Sequence, residues 1–467
     1  MQPEQLNFCL RRLLKLAAPL LVATLLAGCK GIPTQSERRA RSELQTVARL
    51  YQPGARQVRL PVLDTNTTLR TLLTFALLNQ PRVEAAYYEY AAAVERITVE
   101  RSLPDPRLTF EMDIQDVVMT VMPGLMAEVP WVQKLRIRAD AASAESQARY
   151  LAFESAVLQT AYEVKRAWCQ LYFLEDRLRI LRETLALAGE LEQIARARFE
   201  AGRVTLQDVL RAQIEQERLR TEMANLEDSR RPLLAQLKAA LGLQADQPDP
   251  PVPRQFESAP LDLSPDQLWA TALARNPRLR QMEAEVRLAE AGIRLAHQSR
   301  RPDFNAGLEA DLKAAPVMWR PSLGVTLPIW RDKIAAEVAA AQARKSAAQA
   351  RLSAEQIQLA VEFAEKSFLY REATRNLTLL AEALLPRAWQ SLDAARAGYS
   401  AGKTEFINLL EAERAVLEFQ LAEVDAHARR ELALAELSLL IVGLTPPDAP
   451  VPNAATNPET PILPSTP

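Results

Sequence analysis

Read alone, the amino-acid sequence points to a mainly α-helical fold with a small β part, on three observations. Only 13 of 467 residues are glycine and 6% are aromatic, against a usual glycine share of about 7%, so few tight turns are available. Long proline-free stretches carry apolar residues at a helical spacing, and two short stretches alternate strictly between apolar and polar. A chain this rich in Ala, Leu, Glu, Gln and Arg argues against a doubly wound α/β enzyme or an all-β sandwich. With 57 basic against 58 acidic residues the net charge is −1, which leaves no basic excess for nucleic acid. The two histidines, His297 and His427, exclude a histidine-rich metal site and are both expected on the surface.

In chain order, the first element is a targeting segment. Arg11, Arg12 and Lys15 precede an apolar run from Leu16 to Ala27, too short for a stable membrane anchor, and Leu26-Ala27-Gly28-Cys29 follows. This tetrapeptide resembles the bacterial lipobox, which implies cleavage after residue 28, acylation of Cys29 and, with Lys30 next, delivery to outer-membrane lipid. Cleavage removes Cys9, leaves the mature chain at −3 and leaves Cys169 as the one free thiol. No disulfide framework is then possible within one chain, and Cys169, in a helical pattern, is expected to be a small core residue. Residues 29–64 form a leader with few strong signals.

The remainder is a duplication. Asn79-Gln80-Pro81-Arg82 is answered by Asn276-Pro277-Arg278, and Leu103-Pro104-Asp105-Pro106-Arg107 by Arg300-Arg301-Pro302-Asp303-Phe304. Val129-Pro130-Trp131 is answered by Leu327-Pro328-Ile329-Trp330, Phe199-Glu200-Ala201-Gly202-Arg203 by Tyr399-Ser400-Ala401-Gly402-Lys403, and Leu241-Gly242-Leu243 by Val442-Gly443-Leu444. The offset drifts only from 196 to 201. Two repeats follow, 65–243 and 261–444, joined by a proline-rich connector at 244–260 and followed by a proline-rich tail at 445–467, expected to be disordered.

Within each repeat a long helix dominates. Val132 to Phe199 has no proline, and Val157, Ala161, Val164, Trp168, Leu171, Leu174, Leu178, Leu181 and Leu185 recur every 3.5 residues, the period of a coiled-coil seam. Such a helix is roughly 100 Å long at 1.5 Å per residue. Gly202 supplies a turn, Thr205 a cap, and a second helix returns to Leu241. The second repeat turns at Gly402, with Pro386 kinking its descending helix.

Before each long helix comes a strand pair. Leu108, Phe110, Met112 and Ile114 alternate with Thr109, Glu111 and Asp113, and Phe304 to Leu312 alternate with Asn305, Gly307, Glu309 and Asp311. Partner strands lie near Leu125–Val129 and Leu323–Leu327. These are either small surface hairpins or, better in a lipoprotein with long helices, four strands of a transmembrane β-barrel with an acidic wet face. Four strands cannot close a barrel, and open edges are not tolerated in lipid, so the chain must oligomerise to a dimer of eight strands or a trimer of twelve; a wide helical tube favours three.

The Asn-Pro segments, Leu327-Pro328-Ile329-Trp330-Arg331-Asp332-Lys333, and Leu385-Pro386-Arg387-Ala388 leading to Gly398-Tyr399-Ser400-Ala401-Gly402-Lys403, then Leu409, Leu410 and Ala412, resemble the TolC family of outer-membrane efflux channels over about Leu69 to Leu444. The wording is nearest to members serving heavy-metal or multidrug pumps of the resistance-nodulation-division (RND) type. The resemblance implies a homotrimer with twelve strands in the outer membrane and a coiled-coil barrel of twelve helices in the periplasm, a periplasmic adaptor and an inner-membrane pump as partners, and no cofactor. It implies docking turns at Gly202, Arg203, Gly402 and Lys403. It also implies a constriction near Asp208, Asn408 and Glu411, with Asn408 and Glu411 standing at two positions where the family carries aspartates. Glu111, Asp113, Glu309 and Asp311 are candidates for the barrel lumen. The function implied is a passive exit duct of a tripartite efflux pump, not an enzyme. The alternatives are a type I protein secretion duct and a lipid-anchored periplasmic coiled-coil scaffold or adaptor, the last lacking the Gly-rich β-domain an adaptor needs.

Overall fold

The computed structural model describes residues 33–51, 60–64, 67–115, 117–252, 265–312 and 316–441. The signal peptide, Cys29, residues 253–260 of the proline-rich connector and the tail at 445–467 lie outside the described residues. The elements in order are α1 (Gln35–Leu50), α2 (Leu69–Asn79), α3 (Pro81–Arg101), β1 (Arg107–Gln115), β2 (Val117–Val129), α4 (Val132–Glu200) and α5 (Leu206–Leu241). There follow α6 (Pro265–Arg275), α7 (Pro277–Gln298), β3 (Asp303–Asp311), β4 (Met318–Thr326), α8 (Arg331–Leu379), a π-helical turn (Leu380–Leu384), α9 (Leu385–Ser400) and α10 (Phe406–Leu440). The order repeats itself: two short helices, two strands, a long helix and a returning helix.

Packing divides the chain into two compact units, one from the described residues of 1–43, 93–144 and 287–344, the other from those of 44–92, 145–286 and 345–467. The first holds an antiparallel sheet in the order β1-β2-β3-β4. Lys134 Nζ donates to Asp303 Oδ2 at 2.7 Å and to the Arg301 carbonyl at 3.1 Å, so the start of α4 is tied to the start of β3. The leader, weak in sequence, is helical, and its Glu37 is buried against Thr98 Oγ1 (2.9 Å) and Arg101 (2.6 Å). β2 is also longer than the apolar run at its end suggested. Its first half pairs with β1 from Val117 onward, and pairing rather than alternation makes it a strand.

In the second unit the duplication reappears as two matching cores. Leu72 and Ala76 pack with Trp168, Leu171, Leu237 and Leu241, while Leu268 and Ala272 pack with Leu359, Phe363, Leu437 and Ile441. On α4 the 3.5-residue seam is buried from Val164 through Leu181. Cys169 is fully buried there, and burial pushes its thiol up to about 12, as befits an unreactive core residue. His427 departs from expectation. It is half-buried, its ring 5.0 Å from that of Phe173 and its Nε2 3.9 Å from Glu431, because α10 turns that face inward. Thr205 occupies the N-cap of α5 in extended backbone but its hydroxyl makes no capping bond. At Pro386, which lacks an N–H, the helix stays continuous by widening. The N–H of Leu385 reaches back five residues to Leu380.

Candidate pore and helix-turn tips

Both hairpins of the second unit close with the same turn. At the end of α4, Gly202 N–H donates to Phe199 O and Arg203 N–H to Arg198 O, each at 2.9 Å; at the end of α9, Gly402 N–H donates to Tyr399 O (3.0 Å) and Lys403 N–H to Gly398 O (2.9 Å). These are Schellman pairs, and they need a left-handed residue, here Gly202 at φ 68° and Gly402 at φ 72°. A Cβ at either glycine would meet nothing within 4 Å, so conformation rather than crowding demands glycine, and both turns face open space. Gly202, Arg203, Gly402 and Lys403 are all exposed.

The two turns are held to each other by residues that spacing alone did not reveal. Arg198 Nη2 donates to the Ser400 carbonyl at 2.8 Å, and its guanidinium lies 4.4 Å from the Tyr399 ring centroid, which in turn packs on Phe406 at 5.5 Å. Burial raises the Tyr399 phenol pKa, with Arg198 opposing and Asp208 adding to the rise. Below this contact Leu191, Ala195, Val209, Leu392, Leu409 and Val416 form one buried cluster.

The constriction candidates sit at the start of the returning helices. Asp208 is half-buried in the first turn of α5, where the helix N-terminus favours a carboxylate, and lies 3.7 Å from Arg211. Asn408 and Glu411 are exposed, three residues apart and so on one face of α10. Two turns beyond Asp208, Glu215 of α5 is 2% exposed and is held by Arg414 (2.9 Å) and Arg218 (2.8 Å). Glu413 of α10 is 3% exposed, and neither of its carboxylate oxygens has a hydrogen-bond partner. A signal for both existed in the sequence. Glu413 continues the apolar seam Phe406, Leu409, Leu410 toward Val416, and Glu215 that of Val209 and Ala212 toward Leu219.

In the first unit, the sheet is inverted relative to a soluble protein. Leu108, Phe110, Met112, Leu125, Phe304, Leu308, Trp319 and Val325 are all exposed, and Leu323 is 87% exposed. The register puts them on one face, with Leu108 opposite Leu125, Leu125 opposite Leu308 and Phe304 opposite Val325. The other face carries Glu111 opposite Met122, and Glu309 between Gly124 and Arg320. Asp311 is paired with Arg320 at 3.3 Å. Glu111 is exposed, whereas Glu309 and Asp311 are half-buried. Asp113 pairs through its backbone with Thr120; its side chain lies outside the described residues. Gly124, Gly307 and Gly324 share this polar face, each crowded by a cross-strand side chain, Glu309 at 2.6 Å in the case of Gly124, Ser322 and Asn305 for the others. Larger residues there would not fit, so the polar side is the tight side of the sheet.

Among the described residues no helix is long and apolar enough to cross a membrane, and no cluster of three or more His, Cys, Asp or Glu is placed to hold a metal. Comparison with known proteins matches this architecture. The "Cobalt-zinc-cadmium resistance protein CzcC" of Cupriavidus metallidurans is 22% identical over 355 residues, 75% of this chain and 84% of that protein. Among solved structures, the outer membrane protein VceC of Vibrio cholerae superimposes with a TM-score of 0.67 at 17% identity, over 80% of this chain and 96% of its own. A membrane protein of Pseudomonas aeruginosa gives 0.69 at 20%, over 83% and 99%. CusC, described as forming a transmembrane channel, gives 0.68 at 16%, over 83% and 98%. A family model described as Outer membrane efflux protein matches residues 72–243 and 268–443, one span in each repeat, and the chain belongs to that family of outer-membrane efflux channels.

Proposed function

We propose that this protein is the exit duct of a tripartite efflux pump, a homotrimer that passively conducts substrate received from a periplasmic adaptor and an inner-membrane pump of the RND type. The observation that carries this reading is the inverted sheet. Exposed Phe110, Trp319 and Leu323 on one face would be costly in water and are at home in hydrocarbon, while Glu111, Glu309 and Asp311 on the other suit a water path. Among the described residues of one chain, the outer edges of β1 and β4 have no strand partner. Lipid does not tolerate such edges, and three copies would join them into a closed barrel of twelve strands.

The long hairpins would then supply a tube of twelve helices, with Gly202, Arg203, Gly402 and Lys403 offering small, open turns for an adaptor. Asp208, Asn408 and Glu411 would narrow its end. Carboxylates along the path favour cations, and the resemblance to a cobalt-zinc-cadmium resistance protein supports metal cations as cargo. Acyl chains on Cys29 would anchor the mature N-terminus in the outer membrane.

Planar bilayers holding the purified mature protein test this. A small, cation-preferring conductance is expected, larger or less selective in Glu411→Ala. Absence of current from inserted, well-folded oligomers of both forms would remove the barrel.

A further inference from the structure

Behind the tip, the two hairpins meet across a pair of buried glutamates that are treated unequally. Glu215 on α5 takes two guanidinium groups, Arg414 at 2.9 Å and Arg218 at 2.8 Å. Glu413, on α10 next to Arg414, is left with two unpartnered oxygens and 3% exposure. A buried carboxylate without a partner is costly when ionised and cheap when protonated. The charged groups acting on it are Glu215 from α5, Arg396 from α9 and Arg414 from its own helix. The first repels the ionised form; Arg414 is already engaged, and Arg396 attracts it only in part.

We propose that Glu413 is a proton-operated latch on the tip: protonated, it lets the α4–α5 and α9–α10 hairpins pack closed, and ionised, it drives them apart. This deepens the duct reading, since it rests on the tip being the duct's constriction. Burial, then the charge of Glu215, raises the carboxyl to about 7. A carboxyl held above its unfolded value favours the packed state fully below about pH 4.5 and loses that contribution as pH rises through about 7. The closed tip is therefore the low-pH form.

The test uses the full chain in lipid nanodiscs, spin-labelled through Glu217→Cys and Glu418→Cys and diluted into unlabelled chains. Both positions are exposed, and buried Cys169 stays unlabelled. The label distance should lengthen between about pH 5.5 and about pH 8.5, with a midpoint near 7, and stay short at all pH in Glu413→Gln. The shift should persist in His427→Gln, which removes the half-buried histidine of α10. A constant distance in the unsubstituted background, or a shift that survives Glu413→Gln, overturns the latch. Bilayer conductance measured alongside separates the two readings. A pH-dependent distance without current at any pH leaves the latch and removes the duct, whereas current with a constant distance removes the latch alone.

Discussion

Gly242 and Gly402 have the same φ of 72° and close the same kind of turn, yet their surroundings differ. A Cβ on Gly402 meets open space, while one on Gly242 would come within 2.6 Å of the Asn79 carbonyl oxygen, a backbone atom that cannot swing away. Gly402→Ala should therefore cost only left-handed strain, about 1–2 kcal/mol, and Gly242→Ala distinctly more; denaturant unfolding of the two variants checks the order. A bulky residue at 402 should instead leave assembly intact and lower crosslinking to the adaptor, since it fills space outside the fold. Equal stability losses at the two glycines would show that crowding plays no part. Glycine followed by Arg or Lys was visible in the sequence at both tips, but the clamp of Arg198 on Ser400 and Tyr399 was not, because it joins residues 202 positions apart.

At the scale of elements, the Asn-Pro segments prove to be fasteners for helix ends. Asn79 Nδ2 donates to the carbonyls of Leu241 (3.0 Å) and Gly242 (3.2 Å), and Gln80 Nε2 to those of Ala239 (2.9 Å) and Ala240 (3.1 Å), so the last turn of α5 is satisfied by the start of its own repeat. Asn276 does the same in the second repeat, donating to Leu440 O at 3.2 Å while its Oδ1 accepts from Arg278 N at 2.9 Å, the start of α7. The arginine after each proline reaches the long helix: Arg82 meets Glu163 at 3.0 Å and Arg278 meets Glu362 at 2.9 Å. Asn276 is 2% exposed, so Asn276→Ala strands a buried carbonyl and uncaps a helix. A loss of about 1–3 kcal/mol in denaturant unfolding is expected, and a neutral result would mean that water replaces both bonds. Spacing marked these segments as landmarks of the duplication. Their role as caps was illegible because the accepting carbonyls lie over 150 positions away in the chain.

For the molecule as a whole, location and assembly decide function. Cys29→Ala should abolish acyl labelling in cells, and retained label would remove the lipoprotein assignment. The sheet bears on the same question from the folded side, since its exposed apolar face needs a non-aqueous environment. Period and composition by themselves determined the helices, the duplication and the two tip glycines. These are local properties, set by spacing along the chain and by the backbone preferences of proline and glycine. Only the tertiary structure decided that β2 extends over 13 residues, that the leader forms a helix around a buried Glu37, that His427 turns inward, and that Glu413 is left without a partner while Glu215 takes the arginines. Each of these depends on which distant side chains compete for the same space or the same charge, and that competition exists only once the helices are packed.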